Sequence, residues 1–237
     1  MSTPAAPIFG NPTYRHHLEG PAARHTTLRR ALNKGFTPAV VAGLRPRVEA
    51  MAGHLLDPME GRGTADIVHD LAYPLPVRAI SDLLGVTESL HDRVCWVFCS
   101  ISWSASPDLI RAAMEEVLRY ENPMQMFGRA VTDDIDLDGV PVPKGSTLLL
   151  VIAAAHRDEE QFTDPDRFDI HRAHNRHFAF GGDAHVCLGS TLARLEGHIA
   201  LRELNRRFPR LQADGPGAQW SSLVSFRGLR ELRVTFS

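Results

Sequence analysis

Phe178 to Glu196, FAFGGDAHVCLGSTLARLE, sets a single cysteine behind a glycine-rich loop and at the mouth of an amphipathic helix. From Leu188 onward, Leu192, Leu195, Ile199 and Leu204 recur at roughly helical spacing, which predicts a helix whose first turn follows Cys187. A helix start leaves backbone N–H groups unpaired and carries the positive end of the dipole, so a negative sulfur is favoured there. Gly181, Gly182 and Gly189 strip side chains from around that sulfur, which frees the loop to take positive φ and lets a flat group approach the backbone. An isolated thiol in a soluble chain is most often a buried core residue. The residues around Cys187 point instead to a metal-ligating thiolate.

Phe180, Gly181, His185, Cys187 and Gly189 carry the spacing Phe-Gly-any-any-any-His-any-Cys-any-Gly. This segment resembles the heme-binding loop of the cytochrome P450 family, except that the second loop glycine is Asp183 here. Aspartate tolerates left-handed backbone better than most residues, so the turn is expected to survive, with a carboxylate close to the cofactor. The resemblance implies that Cys187 is the axial ligand of heme iron and the catalytic centre of a heme b protein. A thiolate in that position pushes electron density toward O–O cleavage. Phe180, Gly181, His185 and Gly189 are then cofactor-binding residues.

Further matches follow in family order. DLIRAAMEEVLRY from Asp108 reads as a helix with Ile110, Met114, Val117 and Leu118 on its apolar side, and Glu116 and Arg119 three apart on one face. Such pairs are common on exposed helices and contribute only a few tenths of a kcal/mol. With Arg167 in DPDRFDI, they resemble the family's Glu-Arg-Arg network, whose bidentate guanidinium bonds hold the loop rigidly. His25 and Arg29, four apart in ARHTTLRRALNKGFTP, resemble the helix that crosses the heme edge. Arg129 resembles the strand arginine that caps a propionate, and His185 joins them. Each alone is more often a solvated surface charge; together, in order, they form a propionate-binding set.

A chain of 237 residues with 43% hydrophobic residues can bury a well-packed core, and residues 1–237 read as one truncated P450-like domain. A net charge of −2 gives no reason to expect nucleic acid or an acidic membrane as partner. No apolar run is long enough to span a bilayer, and MSTPAAPIFG lacks the charged start and apolar core of a signal peptide, so a soluble, cytoplasmic protein is expected. Cys95, Cys99 and Cys187 suggest no disulfide framework, and the first two, in VCWVFC, are expected in the core.

The pattern predicts a mainly α fold with a small β section, a partial cytochrome P450 fold. Pro38 to Asp57 carries apolar residues at helical spacing, and a second such segment from Ala72 meets a glycine stop at Gly85. From Ala130, a hairpin through Asp138-Gly139 and a buried strand ending near Ala153 are expected, and the tail alternates from Leu229 as one last half-buried strand. His171, His174 and His177 repeat every three residues and could in principle bind zinc, but the surrounding polar stretch reads as a solvated loop.

ISWSAS, ending at Ser106, runs almost directly into the helix at Asp108, and no Gly-any-Asp/Glu-Thr sequence occurs. By resemblance, the family's first elements and its distal block, F to I helices, are missing. One heme face would then open onto solvent, a second copy or a protein partner. The resemblance implies a monooxygenase oxidising a small organic molecule, of the secondary-metabolite kind, with ferredoxin-type electron donation near Cys187, where Arg194 and Arg202 could contribute. Two alternatives stand beside it: redox-neutral cyclisation, dehydration or rearrangement on the same scaffold, and a non-catalytic protein that binds a biosynthetic partner.

Overall fold

The computed structural model describes residues 22–84, 107–214 and 219–237. The MSTPAAPIFG segment, the Gly85 stop, Cys95, Cys99 and ISWSAS lie outside the described residues. Helix α1 (Ala22–Asn33) leads through a 3₁₀ turn to Thr37, whose hydroxyl accepts the Val40 N–H at 3.3 Å and opens α2 (Pro38–Gly43). The single helix expected from Pro38 to Asp57 is broken at Leu44, and α3 runs Arg45–Leu56. Pro46 is the cause: it has no N–H to bond to the carbonyl four residues back, so it is accepted only in a first turn.

Helix α3 turns Val48, Ala52 and Leu56 inward, the spacing of one helical stripe. A π-helical turn (Val68–Ala72) precedes α4 (Pro74–Leu84), which adds Leu75 and Ala79 to the same core. The long helix α7 (Ser190–Arg207) completes it with Leu192, Leu195 and Ile199. Burying a leucine or isoleucine fully is worth about 1.5–3 kcal/mol, so this three-helix contact anchors the segment behind Cys187. Helix α5 (Pro107–Tyr120) packs on α7, and its Met114 and Leu118 form a second small core with Ala179, Phe180 and Leu201.

The β section is a set of small antiparallel sheets. Strand β1 (Thr64–Asp66) pairs with β9 (Arg233–Thr235), which pairs with β6 (Gln212–Ala213). The tail is therefore not one strand. β8 (Leu229–Glu231) pairs with β7 (Gln219–Trp220) in a separate ribbon. The split falls at Leu232, whose N–H is taken by the Asp66 carboxylate at 3.0 Å and whose carbonyl accepts the Ile67 N–H at 2.9 Å.

Strands β3 (Ile135–Leu137) and β4 (Val140–Val142) form the expected hairpin, with Asp138 and Gly139 both left-handed at φ 49° and 84°, as a two-residue primed turn requires. Strand β5 (Thr147–Leu150) pairs with β2 (Phe127–Ala130), but it ends at Leu150 rather than near Ala153 and is not buried: Leu149 is 63% exposed. Among the described residues it has one neighbour and sits in a two-stranded ribbon. The apolar run continues as the short helix α6 (Ile152–Ala155), where only Ile152 is buried.

Candidate functional site

Glu116 and Arg119 of α5 lie fully buried face to face, with Arg119 Nε and Nη2 donating to the two Glu116 oxygens at 2.9 and 2.8 Å. Arg119 Nη1 donates to the carbonyls of His156 and Pro165, both at 2.8 Å. The third side chain on Glu116 belongs to Arg172, whose Nε lies 3.2 Å from Oε2, and not to Arg167. Arg167 is exposed and offers its backbone carbonyl to Arg119 at 3.2 Å and to Arg172 at 3.0 Å. The segment turns at Asp164 (φ 48°), which aims carbonyls inward at Pro165 and Arg167; the chain returns a guanidinium five residues later. Asp169 N–H and Asn175 Nδ2 also donate to Glu116. Burial raises the Glu116 pKa, but the Arg119 and Asp169 hydrogen bonds and the Arg119 and Arg172 charges hold it below the usual range.

His156 escaped the sequence reading, because a histidine closing the alanine run IAAAH carries no periodic or motif signal. It is buried between α5 and the cysteine loop. Its Nδ1 lies 3.0 Å from the Arg119 carbonyl, and its Nε2 lies 2.8 Å from the Phe178 nitrogen. A carbonyl only accepts, so Nδ1 carries the hydrogen, Nε2 accepts, and the ring is neutral. Burial above all, then the charges of His177, Arg119 and Arg157, lowers its pKa to about 4 against a weaker opposing hydrogen bond. His177, expected in a solvated loop, has a side chain only 3% exposed with Nε2 3.0 Å from Glu115. His171 and His174 are exposed, so the three imidazoles do not converge.

The cysteine loop is held largely by its own backbone. The Gly181 N–H bonds to the Phe178 carbonyl at 2.8 Å, the Cys187 N–H to the Phe180 carbonyl at 2.7 Å, and the Cys187 carbonyl accepts the Ser190 N–H at 3.2 Å, just ahead of α7. Gly181 is required: its φ is 75°, and a Cβ would stand 3.2 Å from the His185 carbonyl oxygen. Asp183 takes the left-handed conformation foreseen for it, at φ 50°, and opens a 3₁₀ turn to His185. The Cys187 thiol is exposed, and at Gly189 the space a Cβ would enter is open.

Basic side chains from three elements gather around His185, two residues before this thiol. The His185 ring stacks on His25 of α1, centroids 4.5 Å apart. Burial first, then the charges of His25, Arg129 of β2 and Arg29 of α1, depress the His185 pKa. Among the described residues no carboxylate forms an ion pair with His25, Arg29, Arg129 or His185. Arg194 and Arg202 are otherwise engaged: Arg194 grips Glu115, and Arg202 bonds Glu49 and Glu203. Met124 and Phe226 form an isolated antiparallel bridge, which joins the segment after Pro123 to the segment ahead of β8.

The family model for cytochrome P450 matches residues 101–216. Cytochrome P450 107B1 of Saccharopolyspora erythraea is 30% identical over 310 residues, a match covering 92% of this chain and 76% of that protein. The chain belongs to the cytochrome P450 family. The biotin biosynthesis cytochrome P450 of Bacillus subtilis is 49% identical over 131 residues, 55% of this chain and 33% of its own length. Among solved structures, P450BioI in complex with hexadec-9Z-enoic acid ligated acyl carrier protein superposes with a TM-score of 0.85 at 27% identity, over 93% of this chain and 81% of that one. The fold is thus a P450 fold, mainly α with small sheets, and family membership implies oxidoreductase chemistry with heme.

The donor set of this P450 fits that cofactor. Heme needs one axial ligand and basic groups for two carboxylates; the loop presents an exposed thiol, and four basic side chains without a described carboxylate partner gather at His185, two residues before it.

Proposed function

We propose that this chain is a heme-thiolate oxidoreductase of the monooxygenase type, acting on a small organic molecule, with Cys187 as the axial ligand. The observation that carries the reading is the set of basic side chains His25, Arg29, Arg129 and His185 at the cysteine loop, which has no carboxylate partner among the described residues. Neighbouring positive charges disfavour one another, and the depressed pKa of His185 carries that cost; two propionates would supply the opposite charge. His25 and Arg29 approach from α1 and Arg129 from β2, so binding would tie the helical and β sections together. A thiolate-bound heme supplies oxygen activation by pushing electron density toward O–O cleavage. The protein's part is to hold the thiol still: the Glu116–Arg119–Arg172 clasp fixes the approach to the loop, and His156 fixes Phe178. Oxidation with molecular oxygen would draw electrons from a ferredoxin-type donor. The solved relative's acyl carrier protein complex makes a carrier-bound acyl chain one substrate class to screen.

A second reading, redox-neutral catalysis or partner binding on a P450 scaffold, is favoured by one specific observation. The match to cytochrome P450 107B1 runs over 310 residues, more than the 237 of this chain, so that relative has residues inside the matched span with no counterpart here. This supports the absence of the distal block, and with it of the usual proton delivery.

The first test is the absorption spectrum of purified protein after heme reconstitution, reduced under carbon monoxide. A red-shifted, thiolate-type Soret band that is lost in Cys187→Ala is expected. Folded protein that takes up no heme would overturn the oxidative reading and leave the second.

A further inference from the structure

Glu115 and Glu116 are neighbours on α5 and therefore point about 100° apart, and the structure gives them separate duties. Glu116 is absorbed in the clasp on Arg119 and Arg172. Glu115 faces the cysteine loop and α7, where it collects donors from both sides of Cys187. Arg194 of α7 grips it with Nε at 2.6 Å and Nη2 at 2.9 Å. His177, at the entrance of the loop, lies 3.0 Å from Oε2 through Nε2, sharing that oxygen with Arg194 Nη2. The His177 Nδ1 accepts the Ala179 N–H at 3.2 Å, so Nε2 must carry the hydrogen and donate it to Glu115.

The chain of contacts continues to the thiol. The Arg194 guanidinium stands over the Phe180 ring, 4.6 Å from its centroid, and the Phe180 carbonyl receives the Cys187 N–H at 2.7 Å. Between Ala179 and Cys187 the described loop hydrogen bonds are otherwise backbone to backbone. The clasp on Glu116 acts upstream, on residues 163 to 175, and His156 stops at Phe178. Besides the His185–His25 stack, the contact of Arg194 with Phe180 is the side-chain anchor that reaches the cysteine through one hydrogen bond, and the carboxylate gripping the guanidinium fork fixes it over the ring.

We infer that Glu115 is a positioning residue for Cys187: through Arg194 and Phe180 on one side, and His177 on the other, it fixes where the thiol is presented. The catalytic meaning rests on the reading of Cys187 as the heme ligand; the positioning itself does not. Without the Glu115 charge, Arg194 is released to solvent, Phe180 loses its cation, and the loop samples more conformations while the clasp on Glu116 stays intact.

The test uses the full chain with Cys95→Ser and Cys99→Ser, so that Cys187 is the sole thiol. The alkylation rate of that thiol by iodoacetamide is measured without heme, well below the melting temperature, in parent, Glu115→Gln, Arg194→Gln and the double variant. Arg207→Gln, which breaks the Asp57 and Glu60 ion pairs near the far end of α7, controls for general destabilisation. The expected result is a rate change of threefold or more in each single variant, no further change in the double, none in Arg207→Gln, and partial recovery in Arg194→Lys. Equal rates in parent and Glu115→Gln, or changes matched by Arg207→Gln, would overturn the inference. If Glu115→Gln does not fold, Arg194→Gln and Arg194→Lys decide it alone. Reconstituted parent and variants are then compared by Soret position. A parent that takes up no heme, with altered alkylation in the variants, would sink the heme reading and keep the positioning one.

Discussion

Arg167 and Arg172 stand five residues apart in one loop and do opposite things. Arg167 sends its side chain to solvent and its carbonyl inward; the Arg172 side chain is 7% exposed and ends on a fully buried carboxylate. Removing a buried donor leaves part of the acceptor's desolvation cost uncovered, about 1–3 kcal/mol where other donors remain on it. Arg172→Ala is therefore expected to lower stability by about that much, against about 0.5 kcal/mol or less for Arg167→Ala, in urea unfolding followed by circular dichroism. The reverse order would restore the assignment drawn from the motif. The motif failed here because two arginines in one short loop both satisfy spacing. Which one returns to Glu116 depends on the turn at Asp164, a conformation the residue types permit but do not specify. His156 and His177 show the same limit: burial by distant segments made them structural, and nothing local marks them.

Helix α7 is the element that joins the cysteine loop to the core, and one of its buried residues is a carboxyl group. Glu196 is 4% exposed, and no described residue pairs with it. Burial alone pushes its pKa up to about 8 from 4.5, so the folded state holds a proton that the unfolded chain gives up between those values. Stability from this group is fully present below the unfolded pKa and is lost as pH rises through the folded one, with a slope of about 1.4 kcal/mol per pH unit between them. Glu196→Gln, compared with the parent by urea unfolding at pH 5 and pH 7.5, is expected to gain about 3 kcal/mol relative to it across that interval. Parallel pH profiles would show that Glu196 reaches water or a partner. At this scale the apolar periodicity located α5 and α7 closely. It erred where a single residue outweighs a pattern, at Pro46 in the α2–α3 segment and at Leu232 in the tail, which Asp66 pins between two sheets.

Across the whole molecule, α4, α5, α7 and the last strands enclose a cavity of about 720 Å³ with Leu71, Leu75, Met114, Leu118, Leu204 and Trp220 among its walls. An apolar recess of this size falls in the range that takes small molecules. An environment-sensitive apolar dye is expected to bind native protein at neutral pH with enhanced fluorescence, and Leu204→Lys is expected to reduce that binding several-fold. Dye uptake equal in both would mean that this recess is closed in solution. The sequence by itself determined the thiol's neighbourhood, because Phe180 to Gly189, the α7 periodicity and the Asp138-Gly139 turn are local: each depends on residues within a few positions of one another. Tertiary structure alone decided which arginine meets Glu116, that His156 is neutral and buried, that the His177 side chain is enclosed against Glu115, and that Glu115 joins α5 to both flanks of Cys187. Those outcomes turn on desolvation and on hydrogen bonds between segments tens of residues apart, which come into being only when the helices pack.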